Sequence, residues 1–566
     1  MSDSKSPKLR SAGILFPVFS MRREGDLGIG DTTAVMQCID WFSEYKVGFL
    51  QLLPINVTGG DRSPYSSISS VALDPIYLSL EKIPGIGKKA IESAREECGT
   101  SLNSASVNYA KVWAVKSRVL HQAYKKFLKS ESQGAMLEAF KDTHKSWIDN
   151  YCSYRWLMDE AGGCDDWTSW PKEYNTPNKA RRYEKKRREA DELAVQKSQD
   201  YFAWEQWHAF QQWEAVRAHA DKRGVKLMGD VPIGVSYASA DVFFEPKWFN
   251  LEWCGGAPPE TNFKADPFTA KWGQNWGVPV YRWDVIEKSN YKWWRQRVAA
   301  LTSIFHQFRI DHILGFYRIY GFPWHPSRNE EFLDMSLEEA AERTGGSLPG
   351  FVPRDDDSVI GRAKNLIDGD RYIRAVLEAA GDGEVIGEDL GVVPEYVRPH
   401  LLEIGVAGFK VVHWELQANG KVTPPSAHPE CSFACYTTHD MPPLKTLWET
   451  TRVAAEEGPD KREARATMKL LAEFSGQEVM RKGKPYPAYS RKVKHALLDS
   501  LLSTSCRYAC IQIGELIDSS VQVNFPGTVG DHNWTYRTSW TVTEPSKLVN
   551  TAMKSFSKML QAHDRS

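Results

Sequence analysis

No apolar run in the chain approaches the roughly 20 residues that cross a bilayer. The first residues, MSDSKSPKLRSAG, lack the apolar segment of a secretory leader. Net charge is almost absent: 71 Lys+Arg against 72 Asp+Glu leave -1. A chain without a basic field is not suited to hold nucleic acid or an anionic membrane surface. Cysteine is scarce and odd in number, nine in 566 residues, which argues for a reducing compartment. Cys431 with Cys435, and Cys506 with Cys510, lie beside apolar strand-like runs. No His–Cys cluster completes a zinc pattern, so they read as buried thiols. The expected location is the cytoplasm, with a plastid destination after processing left open by the short, mixed N-terminus. No internal repeat, P-loop, dinucleotide glycine fingerprint or Ser–His–Asp order is present.

Aromatic residues are abundant instead: Trp 21, Tyr 22 and Phe 24, or 12% of the chain. Most belong in a core, and some suit stacking against sugar rings or bases. Hydrophobic content of 42% supports a sizeable core. The length fits one elaborated domain or several.

Short apolar strands alternate with helical stretches. Ile14–Val18 and Phe49–Leu53 flank a helix from about Thr32 to Tyr45, a βαβ unit and hence a parallel sheet. A polar loop, Asp61 to Ser67, follows the second strand. From about Glu81 to Gly224 the chain is mainly helical. Its Lys/Arg/Glu-dense part, Asn178 to Asp200, has mixed signs and reads as a solvated helix face. Trp204, Trp207, Phe210 and Trp213 form a packing stripe, and Gly224 is placed to end that helix. Val225–Met228 then leads to Asp230. Trp248 to Trp283 is rich in Trp, Gly and Pro and reads as a loop, either a mobile binding loop or an excursion packed by its own aromatics.

Phe308 and Ile310 alternate with Arg309 and Asp311 in a fourth strand, fed by a helix with Trp294, Val298, Leu301 and Phe305 on one face. Taken alone, Arg309 and Asp311 are an ordinary structural ion pair. Ser336 and Glu339 form a capping-box pattern. Arg354 to Asp357 lacks the spacing of a calcium loop and reads as a solvated turn. Glu384–Gly387, Gly408–Trp414, Phe433–Thr437 and Tyr508–Ile513 complete eight strands. Eight alternating strand–helix units are the count of a closed (β/α)8 TIM barrel of the α/β class. The expected organisation is one catalytic barrel over 1–566, a helical insertion over 81–224 between strands 2 and 3, and a further insertion over 322–378 after strand 4.

Four strands end in an acid: Asp230, Asp311, Glu388 and Asp440. In a barrel these ends converge at one rim. An ionised carboxylate paired with a protonated one is what glycosidic bond cleavage needs. A third acid stabilises an oxocarbenium-like transition state.

In order along the chain, SPYSS, GDVPI, GQNWG, FRIDH, EDLG, THD and NFPG resemble the 4-α-glucanotransferases of glycoside hydrolase family 77, from about Gly13 to Gly527. The resemblance implies a (β/α)8 barrel with helical insertions and no separate C-terminal β-domain. It implies Asp311 as nucleophile, Glu388 as general acid/base and Asp440 as transition-state stabiliser, with Arg309 flanking the nucleophile. Ser63 and Tyr65 match the donor-side loop. Asp230, His439 and Asp389 match groups that hold the sugar beside the scissile bond. Gln274 and Trp276 match a mobile acceptor-side loop, and Asn524 matches a late asparagine. The implied partners are malto-oligosaccharides and α-1,4-glucans, and no metal or organic cofactor is called for. The sequence departs from the family where Met441 and Pro442 follow His439-Asp440, and between Pro259 and Trp272. Both departures bear on acceptor preference and product size.

Overall fold

The computed structural model describes residues 10–259, 266–458, 461–477 and 485–566. Twelve strands occur among them: β1 (Ser11–Leu15), β2 (Phe49–Gln51), β3 (Lys226–Val231), β4 (Phe249–Ala257), β5 (Gln274–Tyr281), β6 (Gln307–Ile310), β7 (Ile319–Phe322), β8 (Gly350–Val352), β9 (Glu384–Gly387), β10 (Ala407–Val411), β11 (Ser432–Cys435) and β12 (Tyr508–Gln512). Eight close into a barrel in the order β1-β12-β11-β10-β9-β6-β3-β2, every neighbouring pair parallel. The fold is thus the expected (β/α)8 barrel. Strands covered on both faces must be apolar throughout, and β10, β11 and β12 are buried at every residue. The barrel floor is aromatic. Phe409 and Phe433 stack at 4.4 Å between ring centroids, and Phe49 meets Phe433 and Tyr508 at 6.3 and 6.2 Å. Gly13 is required beside this plug, because a Cβ there would lie 2.2 Å from the Phe49 ring.

The first strand runs Ser11–Leu15, three residues earlier than the sequence suggests. Phe16 N–H still bonds Gln51 O at 3.0 Å, but Pro17 has no N–H to continue the ladder, and Val18–Ser20 turns into a 3₁₀ helix.

Between β2 and β3 lie five helices of ten residues or more. The last, Pro177–Arg223, breaks at Asp191, whose carboxylate accepts from Ala194 N at 2.9 Å and caps the second segment. Trp204, Trp207, Phe210 and Trp213 are buried, and Gly224 closes the helix at φ 69°. On the charged segment Arg188 pairs with Glu184 and Glu192, and Arg187 with Glu160.

The stretch from Trp248 to Trp283 is not a loop. It holds β4 and β5, which pair antiparallel within a second, four-stranded sheet ordered β5-β4-β7-β8. Residues 260–265 of the departing loop lie outside the described residues. The Asp355–Asp357 turn is likewise not merely solvated. Asp356 accepts from Arg318 Nε, from Asn365 Nδ2 at 2.9 Å and from Tyr396 OH at 2.9 Å. Among the described residues no strand follows β12, and no helix is long and apolar enough to cross a membrane.

Candidate active site

Asp311 is the first residue beyond β6, its N–H tied to Val231 O of the neighbouring β3 at 2.8 Å. Two residues earlier Arg309 points into the barrel and bridges two acids. Nη2 donates to Asp311 Oδ1 at 2.6 Å and Nη1 to Asp230 Oδ2 at 2.5 Å. Tyr65 OH donates to the same Asp230 oxygen at 2.7 Å and accepts from Arg309 Nη1 at 3.2 Å. The Arg309 and Asp230 side chains are 4% and 0% exposed, whereas that of Asp311 is 28% exposed. Of the two acids on Arg309, Asp311 is therefore the one that reaches solvent.

Glu388 follows β9. Its Oε2 accepts from His312 N at 2.8 Å and its Oε1 from Leu390 N at 2.9 Å. The amide that follows Asp311 thus holds the Glu388 carboxyl, placing the two acids side by side. Burial pushes the Glu388 carboxyl up. Arg309 opposes that push, the Asp311 charge adds to it, and the two amide donors oppose it again. The outcome is about 8. His312 itself sits in the left-handed region (φ 47°) and is pushed down to about 4 by burial, hence neutral. Its ring meets Trp276 edge-on at 4.9 Å, and Trp276 Nε1 donates to Gln274 Oε1 at 3.1 Å.

Asp440 sits on the loop after β11. Asn524 Nδ2 donates to its Oδ1 at 2.6 Å, and His439 Nε2 lies 3.3 Å from its Oδ2. The His439 ring stacks on Tyr65 at 5.3 Å between centroids and 10° between planes. A cleft of about 1520 Å³ opens over these groups. Of the sequence-derived residues, Asp311, Glu388, Asp440, Ser63, Tyr65, Gln274, Trp276, Arg309 and Asn524 line it. Asp230, Asp389 and His439 lie behind its wall. Asp389 is buried and accepts from Phe409 N at 2.6 Å and Arg398 Nε at 3.1 Å, tying the end of β9 to β10. Met441, one of the departing residues, lines the cleft beside Asp440.

Sequence reasoning missed the support under Asp440. Gln512 Nε2 donates to Thr437 Oγ1 at 2.6 Å and Thr438 O at 2.7 Å, while Glu515 accepts from Thr437 Oγ1 at 2.6 Å and Gln512 N at 2.9 Å. Burial holds the Glu515 carboxyl at about 7. The only signal for this network was a Gln at the mouth of an otherwise apolar strand. Trp534, which lines the cleft against Tyr65 and His439, carried no motif.

A closed parallel barrel with three carboxylates at the C-terminal rim of its strands, in contrasting surroundings, defines the glycoside-active class of barrel enzymes. The chain belongs to the 4-alpha-glucanotransferase family, glycoside hydrolase family 77, whose model matches residues 16–543. It is a glycosyltransferring enzyme. The 4-alpha-glucanotransferase of Chlamydia caviae is 28% identical over 94% of this chain and 91% of its own length. That of Aquifex aeolicus is 28% identical over 94% and 96%. The chloroplastic/amyloplastic enzyme of Solanum tuberosum is 28% identical over 93% and 82%. In fold, the chain is similar to the amylomaltase of Streptococcus agalactiae, solved in complex with acarbose (TM-score 0.76, 21% identity, 98% of this chain and 100% of that one).

Proposed function

We propose that the enzyme is a retaining 4-α-glucanotransferase that disproportionates malto-oligosaccharides and α-1,4-glucans. Asp311 attacks the anomeric carbon while protonated Glu388 gives its proton to the departing glycosidic oxygen. A covalent glucosyl-enzyme forms through Asp311. Glu388, now a carboxylate, takes the proton from the 4-hydroxyl of an acceptor glucan, whose oxygen displaces Asp311 with a second inversion. Asp440, oriented by Asn524, faces the positive charge that develops on the sugar ring. Asp230, His439 and Asp389 act from behind the wall by fixing the groups that touch the sugar.

The observation that carries this reading is the contrast between the neighbouring acids: Glu388 pushed up to about 8, Asp311 on a guanidinium. Glu388 is protonated at neutral pH and can serve as the acid, while Asp311 is held by a cation beside it, the division of roles that double displacement requires. Incubation with maltotriose tests the reading. Transfer gives glucose together with oligosaccharides longer than the substrate. Glucose and maltose alone mean that water is the acceptor, and the enzyme is an α-1,4-glucan hydrolase.

A further inference from the structure

Arg318, the residue before β7, is held in the cleft wall by two side-chain contacts. Its Nε donates to Asp356, which is itself fixed by Asn365 and Tyr396. Its guanidinium carbon lies 3.4 Å from the centroid of the Phe351 ring, which also lines the cleft. The side chain is 7% exposed. A guanidinium has five N–H donors and no acceptor. Asp356 takes one, and among the described residues no acceptor meets Nη1 or Nη2. Four N–H groups on a rigid, planar head are thus available to whatever fills the cleft.

The chemistry of that occupant follows from the charges. Asp356 neutralises Arg318, and Asp61, Asp165 and Asp166 share the cleft, so an anionic group is disfavoured. A neutral ligand with paired acceptors fits: the vicinal hydroxyls of a sugar. Its position follows from His312. Arg318 N–H bonds the carbonyl of Leu314, two residues beyond His312, at 3.0 Å, and the cleft wall that holds Arg318 also holds His312. That residue's N–H holds Glu388 and its ring meets Trp276. Glu388 exchanges its proton with the leaving oxygen and then with the incoming one, so this wall borders the sugar on the leaving and acceptor side.

We infer that Arg318 is a specificity-determining residue that hydrogen-bonds the 2- and 3-hydroxyls of the acceptor glucose through its two Nη groups. The inference rests on the transfer reading above. It is tested by supplying maltoheptaose as donor and comparing glucose, 2-deoxyglucose and 3-deoxyglucose as acceptors in the wild type, Arg318→Met and Arg318→Lys. The wild type should extend glucose with a kcat/KM about tenfold or more above either deoxy sugar, the scale of one hydrogen bond to a charged group. Arg318→Met, which keeps an unbranched stem on Phe351, should bring that ratio near unity. Arg318→Lys should restore it only in part, because an ammonium lacks the planar fork. A wild-type ratio near unity, which needs no variant to measure, overturns the inference while leaving transfer intact. So does a ratio that survives in both variants. A wild type that elongates no acceptor overturns the transfer reading and this inference with it.

Discussion

The walls that carry Asp311 and Glu388 solve opposite problems with the same kind of side chain. Asp311 ends a chain of compensated charge that runs through Arg309 to Asp230 and Tyr65. Among the described residues Glu388 has no cation in hydrogen-bond contact, only two backbone amides, and burial prevails over them. Burial pushes the Glu388 carboxyl up despite the opposing Arg309 charge and the two amide donors, because none of them makes the close charge-to-charge contact that Asp311 has. Two acids joined through one amide thereby stand in different surroundings, with no difference in their own chemistry beyond a methylene.

The largest expected effect comes from removing the charged member. Asp311→Asn should lower turnover of maltotriose by about three decades or more, since an amide cannot serve as the nucleophile. Product release measured by chromatography checks this, and a variant within tenfold of the wild type would sink the assignment. Glu388→Gln should cost roughly two to four decades with the same substrate. Much of that loss should disappear with α-glucosyl fluoride, whose leaving group needs no proton. Equal losses on both substrates would show that Glu388 does not act as the acid.

Breaking the compensated chain comes next. Arg309→Met strands Asp230 and Asp311 without their common partner, and urea denaturation should show a loss of about 3–5 kcal/mol. The contrast also sets a pH limb. Glu388 must be protonated to expel the leaving group, so kcat/KM should fall as pH rises through about 8, the value that burial gives its carboxyl. In Glu388→Gln that limb should vanish from the residual activity. The smallest effect is expected from Tyr65→Phe. The ring keeps its stack on His439, and Asp230 loses one of its two donors, worth about 1–3 kcal/mol in stability and less than tenfold in rate.

The barrel was legible because its eight strands are short apolar runs and four of them announce themselves a second time. Runs such as FKVV and YACIQ are apolar but for one residue each, as burial on both faces favours, and several strands lead to a conspicuous acid. Convergence of Asp311, Glu388 and Asp440 follows from that count alone. The antiparallel sheet was hidden for the opposite reason. β4 and β5 contain Gly255, Gly256, Gly277 and Pro279, residues that punctuate turns. Their glycines are there for close approach: a Cβ on Gly256 would lie 1.9 Å from Gln274 O across the pair. β8 has only three residues, too few to show an alternation. Asp356 was unreadable because its partners, Arg318, Asn365 and Tyr396, come from three separate segments. Burial of Asp230, Asp389 and His439 behind the wall could not be read either.

The seam between β1 and β12 bears on how the molecule is made. β1 finds β2 almost at once, but its other ladder edge is satisfied only by a strand near the far end of the polypeptide. At a synthesis rate of about 5–20 residues per second, that edge stays open for on the order of a minute. An unpaired edge is a template for sticking to other chains. Nascent chains stalled before Tyr508 should therefore aggregate or engage chaperones, and release of full-length product should end both, as sedimentation of arrested ribosome complexes would reveal.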